Sequence, residues 1–134
     1  MNCVLCDDLP STGDVVYEDA HASVVLHADW SVPGHAMIVA KSHEENVAEL
    51  EDWLHFARVW QRTERVLLAL TGAERAIAMK LGILTPHLHV HLYPVGAQAT
   101  REEVFAAIDG RTRVPRDEGF VERLKTALLT AHGD

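Results

Sequence analysis

The segment from His87 to Tyr93 alternates strictly between ring-bearing and aliphatic residues, in the order H-L-H-V-H-L-Y. Side chains at positions i, i+2 and i+4 of a β-strand share one face of it. A strand here therefore puts the three imidazoles on one face and Leu88, Val90 and Leu92 on the other. Because an aliphatic face of this kind packs against a core, the pattern predicts an anchored strand that presents three histidines in fixed register.

The spacing of these histidines limits their chemistry. Neighbouring ones lie roughly 7 Å apart at Cα and the outer two roughly 13 Å apart. Zinc–nitrogen bonds are only about 2.0–2.1 Å long, so three imidazoles in such a row do not easily reach one zinc ion. The row suits an extended anionic group instead, since each ring meets a different oxygen or phosphorus atom. A neutral imidazole is also a nucleophile and a general acid or base near pH 7.

Length and composition predict one soluble domain spanning residues 1–134. The chain is 48% hydrophobic and 24% charged, as in ordinary globular proteins. It has no apolar run long enough for a membrane span, and its first residues lack the basic and apolar regions of a signal peptide, so we expect a cytoplasmic location. The net charge of −8 argues against nucleic acid as a partner, because sequence-independent binding needs a basic surface.

Hydrophobic patterning predicts an α+β fold with a mostly antiparallel sheet. A long amphipathic helix is expected from Asn46 to about Leu70, with His55 on it as a surface or packing residue. Five strands are expected at residues 15–18, 22–26, 35–40, 75–80 and 87–93. Two short helices are expected in the tail, at residues 100–108 and 117–129, separated by a basic loop.

Cys3 and Cys6 form a C-x-x-C pair. Such a pair can be half of a zinc site, a redox couple, or two thiols without a joint role. A redox motif usually opens a helix within a βαβ unit, and this context is absent here. A structural zinc needs four ligands from cysteine and histidine, so the fold would have to supply two more. The residues alone leave these two ligands open among His21, His35, His43 and His87.

Taken together, these motifs resemble the histidine triad (HIT) family, whose signature is His-x-His-x-His with apolar residues between. C-V-L-C, V-Y-E-D, P-G-H-A-M-I-V-A-K-S-H, the long helix and H-L-H-V-H-L-Y follow in the family's usual order. The resemblance covers about residues 3–95, and the helical tail at 96–134 carries no family signature. It implies a five-stranded antiparallel sheet per subunit, a homodimer with a ten-stranded sheet, and a small-molecule nucleotide as substrate.

The resemblance also implies roles for individual histidines. His89 matches the nucleophile that attacks an α-phosphorus and forms a nucleotidyl-histidine intermediate. His91 matches the residue that contacts phosphate oxygens and assists the leaving group, while His87 matches the first triad position and His35 a fourth histidine that supports the network. In zinc-bearing members, the corresponding metal ligands are Cys3, Cys6, His43 and His87.

Several further residues are candidates for binding the substrate. Gly82 matches a family glycine where the backbone approaches phosphate, and Lys80 and Thr85 would add a charge and a hydroxyl there. Trp30, in the loop before P-G-H, would cover a nucleobase.

The chain departs from the family pattern at the positions that usually bind ribose and phosphate. His27 stands where many members have a ribose-binding aspartate, and Asp29 follows two residues on. Ala76 and Leu84 stand where an amide and a hydroxyl usually touch phosphate. The usual Gly-Gly-Gln is also missing. These departures predict an altered substrate or weak catalysis.

The leading hypothesis is a nucleotide hydrolase or nucleotidyl transferase that acts on phosphoramidates or dinucleoside polyphosphates through His89. One alternative is a non-catalytic nucleotide-binding module that keeps the triad for ligand capture. Another is a mononuclear metallohydrolase that uses the triad as metal ligands.

Overall fold

A five-stranded antiparallel sheet with strand order β1-β2-β3-β5-β4 organises the protein. The computed structural model describes residues 3–132. The strands are β1 (Gly13–Glu18), β2 (Ala22–His27), β3 (Ala36–Ala40), β4 (Arg75–Met79) and β5 (His89–Val95). The α+β fold and the antiparallel sheet predicted from hydrophobic patterning are confirmed.

Within residues 3–132, four α-helices accompany the sheet: α1 (Val4–Asp7), α2 (Trp53–Thr71), α3 (Arg101–Ile108) and α4 (Gly119–His132). The long helix α2 begins later than its apolar periodicity predicts. Asn46 instead caps a separate 3-10 turn, in which the Glu49 side chain accepts a hydrogen bond from the Asn46 backbone amide. Leu50 then has an extended backbone, which separates this turn from α2. Asp52 then caps α2 itself. The helix ends at Thr71, and Gly72 caps it with a positive φ of 73°, the usual left-handed termination.

The two faces of the sheet have different coverings. One face packs against α2 and α4 in the main core, where Val24, Ile38, Val90 and Leu92 are buried. These residues occupy alternate strand positions, as a half-buried sheet requires. The opposite face is covered in part by the N-terminal segment, through Leu5 among others. The remainder of this second face forms a cleft.

Two local features fix the ends of this cleft. Gly34, with φ of 86°, makes the turn into β3, and a Cβ added there would lie 2.8 Å from Thr71 Cγ2. The turn thus brings His35 to the start of β3. On the other side, the segment between α3 and α4 returns to the sheet, where the Val114 amide donates to the Trp30 carbonyl oxygen at 2.9 Å. Among residues 3–132, none of the helices has the length and apolar character that crossing a membrane requires.

Candidate functional site

Strand β5 carries His89 and His91 on the sheet face that forms the cleft. Their ring centroids lie 5.2 Å apart, with the ring planes at 68°. β5 begins at His89, so the strand starts two residues later than the alternating pattern predicts. His87 precedes the strand, and its ring turns into a separate cluster. Two imidazoles, rather than three, therefore share the row.

His89 is held in a single tautomer by the backbone. Its Nδ1 lies 2.7 Å from the carbonyl oxygen of His87. A carbonyl oxygen only accepts, so Nδ1 carries a proton, and in the neutral ring Nε2 keeps a free lone pair. The ring also lines a cavity of about 410 Å³. His89 thus offers an unprotonated ring nitrogen in a cleft, which is the arrangement that a nucleophilic imidazole needs.

We call this cavity the apolar compartment. Its walls come from the N-terminal segment, the sheet and the loop after β4, and include Val4, Leu5, Thr12, His27, Met37, Met79, His89, His91 and residues 81–85. Sequence reasoning missed most of the apolar residues. Met37 could have been found, because it lies two residues after His35 and so shares its face of β3. The N-terminal segment carries no comparable signal.

A second cavity of about 210 Å³ adjoins the first, and we call it the polar compartment. His27, Met79 and His91 border both compartments. The polar compartment is also lined by Asp29, Ser31, His35, Tyr93, residues 108–110 and Arg113. Arg113 is paired with Asp29 at 3.1 Å, although both side chains are largely exposed. The C-terminal part of the chain, which carries no family signature, therefore walls one side of the cleft.

His35 and His91 form a neutral, hydrogen-bonded pair. His35 Nε2 lies 2.9 Å from His91 Nδ1, so one of the two nitrogens donates to the other. Burial lowers the pKa of His35 to about 2, and the nearby imidazoles of His27 and His91 add to this effect. Burial likewise lowers the pKa of His91 to about 3, with further contributions from His89 and His27. Both rings are uncharged at neutral pH.

A stack of rings continues from this pair across the cleft floor. His35 lies 4.3 Å from the Tyr93 ring on one side and 4.4 Å from the His27 ring on the other, measured between centroids. The planes of His27 and His35 differ by only 6°. Burial also lowers the pKa of His27 from its ordinary value. The boundary between the two compartments is therefore built from neutral imidazoles.

The remaining predicted substrate residues are distributed unevenly. Gly82 and Thr85 line the apolar compartment, whereas Lys80 is exposed and is not among the described residues that line either compartment. Trp30 is 3% exposed and packs edge-on against Phe120, with ring centroids 5.4 Å apart. Because the core encloses this indole, the structure corrects the prediction that Trp30 covers a nucleobase.

The cysteine pair meets two histidines at the end of the cleft. Cys6 Sγ lies 3.1 Å from His43 Nδ1 and 3.3 Å from His87 Nδ1, and Cys3 Sγ lies 3.5 Å from His87 Nδ1. All four ligand atoms lie within 4.8 Å of one another. Two thiol sulfurs and two imidazole nitrogens at these separations fit a tetrahedral zinc, with its bonds of about 2.3 Å to sulfur and 2.0–2.1 Å to nitrogen. The ring of His87 is oriented for this role, because its Nε2 donates to the Ala40 carbonyl oxygen at 2.6 Å.

His87 connects this Cys–His cluster to the nucleophile candidate. His87 is buried, with 1% of its surface exposed, and its ring lies within the cluster. Its carbonyl oxygen fixes the tautomer of His89. The same residue thus takes part in both arrangements, one through its ring and the other through its backbone.

Comparison with known proteins identifies the family. The family model of the HIT domain matches residues 10–97, which is more than half of the chain. The chain belongs to the HIT family. The resemblance read from the motifs is thereby confirmed, and the fold of solved HIT proteins agrees with the fold described above.

This HIT protein is similar to relatives from several bacteria. Protein hit of Bacillus subtilis (strain 168) is 29% identical over 105 residues, which cover 69% of this chain and 70% of the relative. A Zn-bound histidine triad family protein from Mycobacterium smegmatis superposes with a TM-score of 0.69 at 20% identity, covering 99% of this chain and 97% of that one. A HIT family hydrolase from Clostridium thermocellum gives a TM-score of 0.59 at 21% identity, over 75% of this chain and 96% of that one.

Proposed function

We propose that this HIT protein is a nucleotide hydrolase or nucleotidyl transferase in which His89 attacks the α-phosphorus of its substrate. The observation that carries the proposal is the 2.7 Å contact of His89 Nδ1 with the His87 carbonyl oxygen, which leaves Nε2 unprotonated in the cleft. The name of the Clostridium thermocellum relative, a HIT family hydrolase, supports the same reaction class. Nucleoside phosphoramidates and dinucleoside polyphosphates are the proposed substrates.

In the first step, a bond forms between His89 Nε2 and phosphorus as the bond from phosphorus to the leaving group breaks. The leaving group departs with that electron pair. When His35 Nε2 donates to His91 Nδ1, the neutral His91 ring carries its own proton on Nε2, from which it donates a hydrogen bond to the departing atom. In the second step, water attacks phosphorus and the phosphorus–nitrogen bond breaks. One proton of the water passes to the leaving group or to bulk water, and His89 recovers its lone pair.

The other cleft residues would bind and orient the nucleotide. Gly82 and Thr85 line the apolar compartment beside His89 and are the proposed phosphate contacts. His27 and Asp29 line the polar compartment and are the proposed nucleoside contacts. Lys80 would act only through its charge, from outside the lining residues.

We further propose that Cys3, Cys6, His43 and His87 hold a structural zinc. The donor set and its separations support this, and the Mycobacterium smegmatis relative is described as Zn-bound. Bound zinc would join the N-terminal segment to the residues that flank β3 and β5. A homodimer is also proposed, in which an outer strand of the sheet, β1 or β4, pairs with its copy. Light scattering in solution would test the dimer.

The mechanism can be tested with substrates that carry a labelled α-phosphate. His89→Ala and His89→Gly should each lower kcat/KM by at least about a thousandfold, since loss of a nucleophile removes the whole covalent route. His21→Ala is the matched control, because His21 is a half-exposed histidine outside the cleft that pairs with Asp52. Rapid quenching of the wild-type reaction should trap labelled protein. Unchanged turnover in the His89 variants would reject the mechanism.

A non-catalytic nucleotide-binding module is the second candidate. Ala76 and Leu84 favour this candidate, because neither side chain can form a hydrogen bond where related proteins usually contact phosphate. Leu84 is also 96% exposed. This candidate predicts saturable nucleotide binding without any trapped covalent protein. A metallohydrolase that uses the triad as ligands is disfavoured by geometry, because His87 Nδ1 faces the cysteines.

A further inference from the structure

Three histidines meet at the boundary between the two compartments, outside the Cys–His cluster. His27, His35 and His91 each place one ring nitrogen within 4.8 Å of the other two. We propose that these three imidazoles form a second cation site, which takes Zn²⁺ or a similar transition-metal ion and thereby inhibits the enzyme. The binding part of this proposal does not depend on the proposed function, whereas the inhibition part does.

The donor chemistry selects a class of ion. Three imidazoles and no carboxylate are a donor set that suits zinc, copper and nickel, whereas magnesium and calcium require oxygen ligands. Open zinc sites commonly use three protein ligands and leave a fourth position to water. The rings are uncharged at neutral pH, as described above, so each has a lone pair to offer.

The hydrogen bonds around His27 and between His35 and His91 bear on metal binding, whereas His35 Nδ1 is buried without a described hydrogen-bond partner. His27 Nδ1 lies 2.8 Å from the Asp29 carbonyl oxygen and 3.1 Å from the Asp29 amide nitrogen. In the tautomer that donates to the carbonyl oxygen, the lone pair is on Nε2. Metal-bound histidines usually donate their other ring nitrogen in this way. His35 Nε2 and His91 Nδ1 lie 2.9 Å apart. A tetrahedral zinc would hold two nitrogens about 3.3 Å apart, so an ion can replace the shared proton with a small opening of the pair.

The third ligand requires a movement. The rings of His35 and His91 are inclined at 42°, but those of His27 and His35 are stacked at 6°, so the lone pairs of the stacked rings run side by side. His27 must therefore turn out of the stack to reach an ion. It is the last residue of β2, it is not fully buried, and it borders both compartments, which gives the ring space to turn.

Inhibition follows from the position of the site. An ion there would occupy the boundary shared by the two compartments. It would also replace the hydrogen bond between His35 and His91, which fixes the His91 tautomer that donates to the leaving group. The site would thus bring the cleft under the control of free transition-metal ions.

The experiment starts from protein that already carries zinc in the Cys–His cluster and titrates it with Co²⁺. Cobalt bound by thiolates absorbs through sulfur-to-metal charge transfer, whereas cobalt bound by imidazoles alone does not. The wild type should bind one further equivalent without thiolate absorption. His27→Phe keeps a flat ring on His35 but has no nitrogen, and it should weaken this binding by at least about a hundredfold.

Two variants complete the design. His27→Gln serves if the phenylalanine variant does not fold, which retention of zinc and the circular dichroism spectrum will show. His21→Ala is the matched control for unspecific binding, because the His21 ring lies 4.8 Å from that of His55 and lines neither compartment. It should retain the further equivalent. Absence of that equivalent in the wild type, its appearance with thiolate absorption, or its persistence in the His27 variants would overturn the proposal.

Turnover measurements test the inhibition separately. Zinc at a concentration that fills the second site should lower the wild-type rate at least tenfold. Because His27 is also a proposed nucleoside contact, His27→Phe is compared with its own zinc-free rate, and it should require at least about a hundredfold more zinc for the same fractional loss. Full turnover with the second site occupied would overturn the inhibitory role. If the protein hydrolyses no nucleotide, the cobalt titration still decides whether the site exists.

Discussion

Asp19 ties the β1–β2 turn to helix α2, and we predict that removing its charge destabilises the fold. One carboxylate oxygen accepts from the backbone amides of His21 and Ala22, at 2.8 and 2.9 Å. The other accepts from the Tyr17 hydroxyl at 2.8 Å and from His55 Nε2 at 2.7 Å. A single side chain thus receives four hydrogen bonds from three parts of the structure.

Substituting Asp19→Asn separates these contacts. The amide oxygen can still accept from the two backbone amides, but the amide nitrogen cannot accept from Tyr17 or His55. Hydrogen bonds to charged groups contribute about 1.5–3 kcal/mol each. The Asp19 side chain is 21% exposed, so water screens part of this. We expect a total loss of about 2–3 kcal/mol at pH 7, or roughly 6–12 °C in Tm for a domain of this size.

The effect should depend on pH in a defined direction. Although partial burial by itself raises the pKa of Asp19, the hydrogen bonds from His21, His55, Tyr17 and Ala22 outweigh it and hold the pKa well below 3.8. A carboxyl with a depressed pKa in the folded state stabilises the protein above its unfolded pKa of about 3.9, and this stabilisation is lost as the pH falls below it. The difference between the wild type and the asparagine variant should therefore shrink by about 0.7 kcal/mol between pH 5 and pH 3.5.

Urea unfolding at a series of pH values measures both quantities. Glu122→Gln is the control, because this carboxylate is 79% exposed and lies 3.8 Å from Lys125, so its loss should cost no more than about 0.5 kcal/mol. The reasoning is refuted if Asp19→Asn matches the control at pH 7, or if its deficit stays constant as the pH falls.

Three further predictions concern the cleft and the turns that build it. His35 and His91 are neutral when folded, with pKa values of about 2 and 3, so the unfolded chain binds more protons below about pH 6.5. Urea titrations should therefore show that the free energy of unfolding falls as the pH is lowered. His91→Gln should reduce the slope of this free energy against pH by about 1.4 kcal/mol per pH unit. An equal slope in the variant would contradict the assigned neutrality. Strong chelation should remove one zinc per chain, measured by elemental analysis, and lower Tm in calorimetry; a metal-free protein of unchanged Tm would argue against a structural zinc. Gly34→Ala should cost about 2–4 kcal/mol in unfolding free energy, because its Cβ would meet Thr71 Cγ2 at 2.8 Å. Gly110→Ala, with a similar φ of 70° and nothing described within 4 Å of its Cβ, should cost only about 1–2 kcal/mol. Equal costs would show that the close contact is unimportant.

The sheet could be predicted from the sequence because its signal is local. Alternate residues such as Val90 and Leu92 face the core, and this period of two is visible within a few residues. The start of α2 could not be placed in the same way. Apolar residues keep a helical spacing from Val47 onward, but the capping of Asn46 by Glu49 closes a short turn there and α2 begins anew after Asp52.

The site could be predicted only where its residues share a motif. The motifs gave the histidines of the cleft, but not the walls, because the N-terminal segment and residues 108–113 approach β5 only through tertiary packing. The same limit explains Trp30, whose place against Phe120 depends on the docking of α4. It also applies to His55, which the sequence predicts to be an ordinary surface or packing residue. Its hydrogen-bond partner Asp19 lies far away in the chain, so the sequence carries no local sign of the contact.

The double role of His87 has a consequence for protein engineering. Copying His89 and His91 onto another sheet would transfer two rings but not the peptide group that orients the first of them. That peptide belongs to a residue whose own ring is anchored by Ala40 and by the cysteine cluster. A transplanted site would therefore need the whole corner of the molecule, with its anchoring residues, before the two rings could work as a pair.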